Sequence, residues 1–454
     1  MTSPLSIDTL ISASWVIPIV PANTVLEECA IAIKDGAIVA LCTQREAQHR
    51  FVAREQIELP GQLLMPGLVN THCHSAMSLL RGFADDLPLQ RWLHEAIWPA
   101  ESALVDADFV AAGSRLAIAE MISSGTTSFA DMYFYPEVTA GEVAAAGLRA
   151  QLAAPIFDQS GCWGSGADDY IHKTLQLRDD YKSHSLLEIA FGPHAPYSCG
   201  DTTLSKIATF AGELEMAVMI HLHETAQEIA DSLRDHHCRP VARIADLGLL
   251  GPRTQCVHMT AVEEQELALL QQHGSHIVHC PSSNLKLASG IAPLQRYRQA
   301  GVNVALGSDG AASNNGLDLF AELRLAALLG KVSAADAAAI DCHTALRMAT
   351  LDGATALGWQ QRPGSLESGK QADIIAIDLS AIGQQPLYNP ASQLVYTSVG
   401  GQVSHSWVAG RCLLRQGELT TINRAQLLRD VAQHWQPRIA ALRPAPASTF
   451  SLKG

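Results

Sequence analysis

A chain of 454 residues that is 48% hydrophobic and 17% charged has enough apolar surface for a large buried core. Its formal net charge of −14 excludes the electrostatic grip on phosphates that nucleic-acid binders need, and leaves a small neutral or cationic ligand unopposed. Ten cysteines without repeated CxxC spacing read as reduced thiols, which makes the cytoplasm the expected compartment.

The uncharged stretch 9–26 contains Pro18 and Pro21, and the first basic residue is Lys34. With no positive charge before the apolar run, it reads as strands rather than as a targeting or membrane segment. Residues 25–41 alternate in short apolar runs around Asp35-Gly36, a two-residue hairpin signal. From 64 to 361 the pattern changes. Short apolar runs at 64–69, 126–130, 149–154, 187–191, 217–220, 254–257, 276–278 and 303–306 alternate with helical candidates such as 106–123, 261–273 and 317–329. This predicts an α/β chain with a (β/α)8 TIM-like barrel over 64–361, a doubly wound open sheet being the competing layout. The last ninety residues return to β style, with a strand at 372–377 and a strand pair turning at Gly410. Residues 1–63 and 362–454 are therefore expected to form one small composite β-sandwich domain.

The strand ends carry the chemistry. His72 and His74 follow the first run, His194 the fourth, His221 the fifth, His258 the sixth and Asp309 the eighth. In a barrel these ends converge on one mouth. His72 and His74 stand two apart in an extended segment and so face the same way. In His221-Leu222-His223-Glu224 a histidine ligand and a carboxylate for proton transfer arrive together, and strand parity does not choose between His221 and His223. Taken singly, Asp309 before Gly310 is an ordinary turn residue and His258 a core histidine bonded to a carbonyl. Their joint arrival at successive strand ends argues for a site. Three histidines and an aspartate form a mixed nitrogen and oxygen set suited to one zinc ion, with Fe2+ or Mn2+ admissible, and such an ion brings the pKa of a water towards about 7. Cys73, Cys199 and Cys280 lack paired spacing and read as bystanders.

The motifs MPGLVNTHCH at 65–74, LRGFADDLP at 80–88, IWPAE at 97–101, GPHAPY at 192–197, HCPSSNLKL at 279–287 and SDGAASNN at 308–315 resemble the amidohydrolase superfamily. Within it they are most similar to the methylthioadenosine and S-adenosylhomocysteine deaminases, and GSLESGKQAD at 364–373 resembles that family's return from barrel to sandwich. The resemblance implies His72, His74, His221 and Asp309 as metal ligands, favouring His221 over His223. It implies that Glu224 protonates the ring nitrogen beside the attacked carbon, and that His258 and Asp309 move protons. His194 would hydrogen-bond the purine, Trp92 would wall the pocket, Glu101 would hold ribose hydroxyls, and Ser313 would add a polar contact. His194 stands where a carboxylated lysine would have to lie for a second ion, which favours a single one.

The expected partner is a small nucleoside, with no nucleic acid or membrane, and a homo-oligomer is compatible with the sequence. Relatives of this architecture also act on triazines, guanine and cytosine. Glu224 favours a reaction that expels an amine, because an amine must be protonated to leave whereas chloride need not. A non-catalytic metal-binding barrel would have lost these residues, and none of the six is missing. For the substrate's tail, a homocysteine carboxylate calls for arginine. None occurs between Ala150 and Leu177, although Arg149 and Arg178 flank the gap, so methylthioadenosine is favoured over S-adenosylhomocysteine.

Overall fold

A computed structural model of the protein describes residues 4–397 and 399–443; of the composite domain expected over 1–63 and 362–454, residues 1–3, 398 and 444–454 lie outside the described residues. Four strands open the chain: β1 (Leu5–Val16), β2 (Leu26–Lys34), β3 (Ala37–Thr43) and β4 (Phe51–Pro66). Asp35 and Gly36 take φ of 51° and 77°, the left-handed pair a tight β2–β3 hairpin requires.

Eight strands then follow one another around a parallel ladder: β5 (Leu68–Cys73), β6 (Thr126–Asp131), β7 (Arg149–Ile156), β8 (Leu187–Pro193), β9 (Val218–Leu222), β10 (Thr254–His258), β11 (His276–His279) and β12 (Asn303–Leu306). Seven of the eight expected runs coincide with these strands to within a few residues. The first does not. Residues 64–66 finish β4, where Pro66 pairs with Ile374, and the barrel strand begins only at Leu68. An apolar run marks burial on both faces, which both sheets provide here, so it conceals where the chain passes from one to the other.

The ring closes through side chains and one backbone hydrogen bond. The amide of Asn70 on β5 accepts from Ser308 N (2.9 Å) and donates to Ser308 Oγ (2.7 Å). Thr71 Oγ1 donates to Leu306 O (2.7 Å), and Asp309 N donates to His72 O (3.0 Å). A Cβ at Gly307 would stand 2.9 Å from the Cβ and carbonyl oxygen of His72, so only glycine lets β12 approach β5 this closely.

Strands β13 (Ile374–Asp378), β14 (Val403–Val408), β15 (Arg411–Arg415) and β16 (Glu418–Leu419) join the N-terminal ones in a second sheet, ordered β16-β15-β14-β13-β4-β1-β2-β3. The turn at Ala409-Gly410 lies where the sequence places it. The buried Arg149 at the start of β7 ties the two sheets together, donating to both oxygens of Asp373 (3.1 and 3.2 Å). Around the barrel, helix Ala107–Ser123 is capped by Asp106, whose carboxylate accepts from Phe109 N. Helix Glu264–His273 starts three residues later than expected because Glu263 and Glu266 form its capping box.

The N-terminal end of the barrel is sealed by polar groups in which each side-chain donor finds a neighbour, while Gln255 Oε1 has no partner among the described residues. Gln255 Nε2 donates to Gln151 Oε1 (2.6 Å) and Gln151 Nε2 donates to Glu188 Oε1 (3.1 Å). The indole of Trp359 donates to Glu188 Oε2 (2.8 Å).

Candidate active site at the barrel mouth

At the opposite end, β5, β9 and the turn after β12 bring four side chains to one point. His72 Nε2 lies 3.2 Å from His221 Nε2 and 3.4 Å from Asp309 Oδ1, and His74 Nε2 lies 3.2 Å from that same oxygen. The other ring nitrogens are engaged elsewhere. His74 Nδ1 donates to Met132 O (2.5 Å) and His221 Nδ1 donates to His194 O (2.8 Å). In a neutral ring this leaves the Nε2 lone pair pointing inward, the second-sphere arrangement that orients metal-binding imidazoles. Asp309, at φ 58°, has its Oδ2 taken by the hydroxyls of Ser283 (2.5 Å) and Ser313 (2.9 Å), so Oδ1 is the oxygen presented to the histidines.

The field at this point is strongly polarised. Burial works to raise the Asp309 carboxyl, yet the His72 and His74 rings hold it well below the usual carboxylate range. Burial pulls His74 down, but its bond to Asp309 and that residue's charge outweigh this and push it up to about 9. Burial takes His72 down to about 4 and His221 well below 6.5, so both are neutral donors at physiological pH. Buried imidazoles gathered around a buried carboxylate suit a divalent cation, which would compete with the proton on His74.

His223 is not part of this cluster. It follows the end of β9 with φ 51°, which turns its ring outward: Nδ1 donates to Ala261 O (2.9 Å) and Nε2 lies 3.3 Å from Glu266. Glu224 points inward instead, 3.8 Å from His258 Nε2, and burial raises its carboxyl above the ordinary value, with the Asp309 charge adding. The His258 ring stacks on His221 at 5.5 Å between centroids, and its Nδ1 donates to Asn284 Oδ1 (2.8 Å). That bond leaves His258 Nε2 as the nitrogen facing Glu224.

His74, His221, Glu224, His258 and Asp309 line one side of a cavity of about 1290 Å³, walled also by Trp92, Glu101, His194 and Ser313. Trp92 sits in a π-helical turn (Trp92–Ile97), buried, with no partner for its indole N–H among the described residues. Glu101 accepts from Tyr133 OH (2.7 Å) and burial pushes it up to about 7. Burial, with the nearby His74 and His72, drives His194 down to about 3, and its ring stacks on Phe157 at 4.8 Å. Ser313 spends its hydroxyl hydrogen on Asp309. All the expected residues thus gather at one mouth. Sequence reasoning assigned nothing to Tyr133, Ser283, Asn284 or Glu228, although Ser283 and Asn284 lie inside a motif it singled out.

Cys73 and Cys199 make only local contacts, to Asp131 and to Ile156 O. Arg149 faces the far end of the barrel and Arg178 pairs with Asp179 at the surface. Among the described residues, the one arginine lining the cavity is Arg243, and it is committed to Asp201 (2.8 Å), Pro196 O (2.7 Å) and Cys199 O (3.3 Å).

A parallel eight-stranded barrel whose strand ends gather imidazoles and a carboxylate beside an acid-lined cavity defines a hydrolase that works with a divalent metal. Residues 63–413 match the amidohydrolase family. The chain is 52% identical over 443 residues, 98% of its length and 100% of the relative's, to the 5-methylthioadenosine/S-adenosylhomocysteine deaminase of Teredinibacter turnerae (strain ATCC 39867 / T7901). It is 41% identical over 380 residues, 82% of its length and 86% of the relative's, to the 5'-deoxyadenosine deaminase of Methanothermobacter thermautotrophicus (strain ATCC 29096 / DSM 1053 / JCM 10044 / NBRC 100330 / Delta H). Among solved structures, a zinc-bound adenosine deaminase from Xanthomonas campestris superposes with a TM-score of 0.95 at 46% identity, covering 96% of this chain and 100% of that one. The chain belongs to the amidohydrolase family, in its branch of 5-methylthioadenosine/S-adenosylhomocysteine deaminases.

Proposed function

We propose that the chain deaminates adenosine-type nucleosides hydrolytically with one zinc ion, and that methylthioadenosine is its preferred substrate. The observation that carries this reading is the approach of the His72 and His74 Nε2 atoms to Asp309 Oδ1, with His221 Nε2 beside His72 Nε2 and the buried Glu224 facing the same cavity. His72, His74, His221 and Asp309 would hold the ion, which supplies a hydroxide nucleophile at neutral pH.

The protein's own groups then divide the remaining work. Glu224, whose carboxyl burial raises above its ordinary value, protonates the ring nitrogen next to the attacked carbon and makes that carbon electrophilic. His258 Nε2 and Asp309 pass protons towards the departing amine, which leaves as ammonia. His194 hydrogen-bonds the purine, Trp92 walls it, and Glu101 accepts from the ribose hydroxyls while Tyr133 fixes its orientation.

The tail end of the cavity supports the thioether. Among the described residues the one arginine lining the cavity, Arg243, is already paired with Asp201, so the carboxylate of a homocysteine tail finds no free arginine there. Ten free cysteines support a reducing, cytoplasmic setting, and among the described residues no helix is long and apolar enough to cross a membrane.

The test is to incubate zinc-loaded protein with methylthioadenosine, S-adenosylhomocysteine, adenosine, guanine and a chlorotriazine, measuring ammonia and chloride. We expect ammonia release and the highest kcat/KM for methylthioadenosine; chloride without ammonia would sink the proposal, and S-adenosylhomocysteine ahead of methylthioadenosine would sink its substrate choice. Glu224→Gln is expected to keep its metal while kcat falls about 10²- to 10⁴-fold, and an unchanged rate removes the acid role.

A further inference from the structure

Glu224 is held in place by a neighbour that the chemistry above does not use. The carboxylate of Glu228 accepts two backbone hydrogen bonds, from His223 N to Oε1 (2.9 Å) and from Glu224 N to Oε2 (2.8 Å). Both N–H groups point the same way because His223 is left-handed, and successive amides in that arrangement form a small anion-binding nest. Here the nest is filled by a side chain from the following helix.

The opposite face of the same peptide unit is pinned from the segment that follows β10. Thr260 N donates to His223 O (2.9 Å), and the Thr260 hydroxyl donates to Glu224 O (3.0 Å). The His223-Glu224 unit is therefore fixed through both its amides and both its carbonyls.

Ordinary helix capping does not account for this. Thr225 caps helix Ala226–His236 by accepting from Glu228 N (3.2 Å), which puts Glu228 at the position a capping-box glutamate would occupy. In that motif the glutamate reaches back to the cap residue's own N–H. Glu228 reaches past Thr225 to the two residues before it. It does so at a cost, since burial pushes its carboxyl up to about 7 while the two N–H donors pull it back.

We infer that Glu228 is a positioning residue for Glu224, setting the distance between the proton donor and the ligand-bearing end of β9. This rests on the proposed acid role of Glu224. If Glu228 acts only through Glu224, its removal costs nothing once Glu224 can no longer donate a proton.

The experiment is a double-variant cycle on the full-length metal-loaded protein, using Glu224→Gln, Glu228→Ala and both together, with kcat, KM, metal content and Tm measured on methylthioadenosine. Glu228→Ala is expected to lower kcat about 10²-fold while KM moves less than about 2-fold, as a misplaced catalytic group does. Metal content should be unchanged, and the double variant should turn over no more slowly than Glu224→Gln alone. Glu228→Gln, which keeps an acceptor oxygen, should recover about 10-fold of the loss, and it replaces the alanine in the cycle if that protein does not fold. Multiplicative losses in the double variant, or an unchanged kcat in Glu228→Ala, overturn the inference while leaving the acid role intact. Full activity in Glu224→Gln overturns the acid role itself.

Discussion

The two ends of the barrel are both buried and both polar, yet they use polarity in opposite ways. At the floor, Gln151, Gln255, Glu188 and Trp359 form a chain in which each donor finds an acceptor on its neighbour. At the mouth, His72 and His74 crowd one carboxylate with His221 beside them, and burial pushes Glu101 and Glu224 up and His194 down from their ordinary values. The floor spends its hydrogen bonds on stability. The mouth withholds them, keeping groups poised for something that is not protein. Stability and activity should therefore respond in opposite senses to substitution at the two ends.

The largest effect belongs to His72→Ala. Metal content should fall below about 0.1 per chain and kcat by on the order of 10⁴-fold or more, read by elemental analysis and ammonia release. In chelator-treated protein the same variant should be no less stable than the parent, because it relieves a crowded cluster. A marked loss of stability there would break the contrast.

Next comes Arg149→Met at the far end, which leaves Asp373 buried without its bidentate partner. Urea unfolding should report a loss of about 3–5 kcal/mol, with kcat of the folded protein unaltered. A fall in kcat would mean that the sheet junction communicates with the mouth.

The smallest effect is expected at Glu101. Its folded value of about 7 lies above the ordinary 4.5, so its contribution to stability is complete below pH 4.5 and disappears as pH rises through 7. Glu101→Gln removes that loss, making the variant more stable than the parent by up to about 3 kcal/mol at pH 8 and indistinguishable at pH 4. Its KM should rise more for nucleosides than for free bases. Parallel stability curves for the two proteins would remove the buried charge from the argument.

The strands were legible because burial writes itself as short apolar runs, and the site was legible because its residues follow those runs directly. Asn303–Leu306 matches its expected run residue for residue. The passage from β4 to β5 was not legible, since Pro66 and Leu68 are equally buried in two different sheets. Strand parity left His221 and His223 undivided for a related reason: it holds only while the strand lasts, and His223 has already turned left-handed. Ser313 illustrates a further limit. Its place in SDGAASNN marks it as polar and close to the site, but which neighbour takes its hydrogen is settled by packing alone. Asn284 and Glu228 depend in the same way on backbone turns and on partners in other elements, which one-dimensional spacing does not encode.

Strands β5 and β12, which meet through Asn70 and Gly307, are the first and last of the ring. His72 lies on β5 and Asp309 in the turn after β12, so the donor set straddles the joint. Those two residues lie 237 positions apart in the sequence, and no shorter stretch of chain can bring them together. A nascent or truncated polypeptide that lacks the final strand is therefore unable to assemble the set, however well its earlier strands are formed. Capture of the ion becomes a late event in folding, gated by a contact of very high sequence separation. Retention of metal then serves as an intrinsic certificate that the ring has shut.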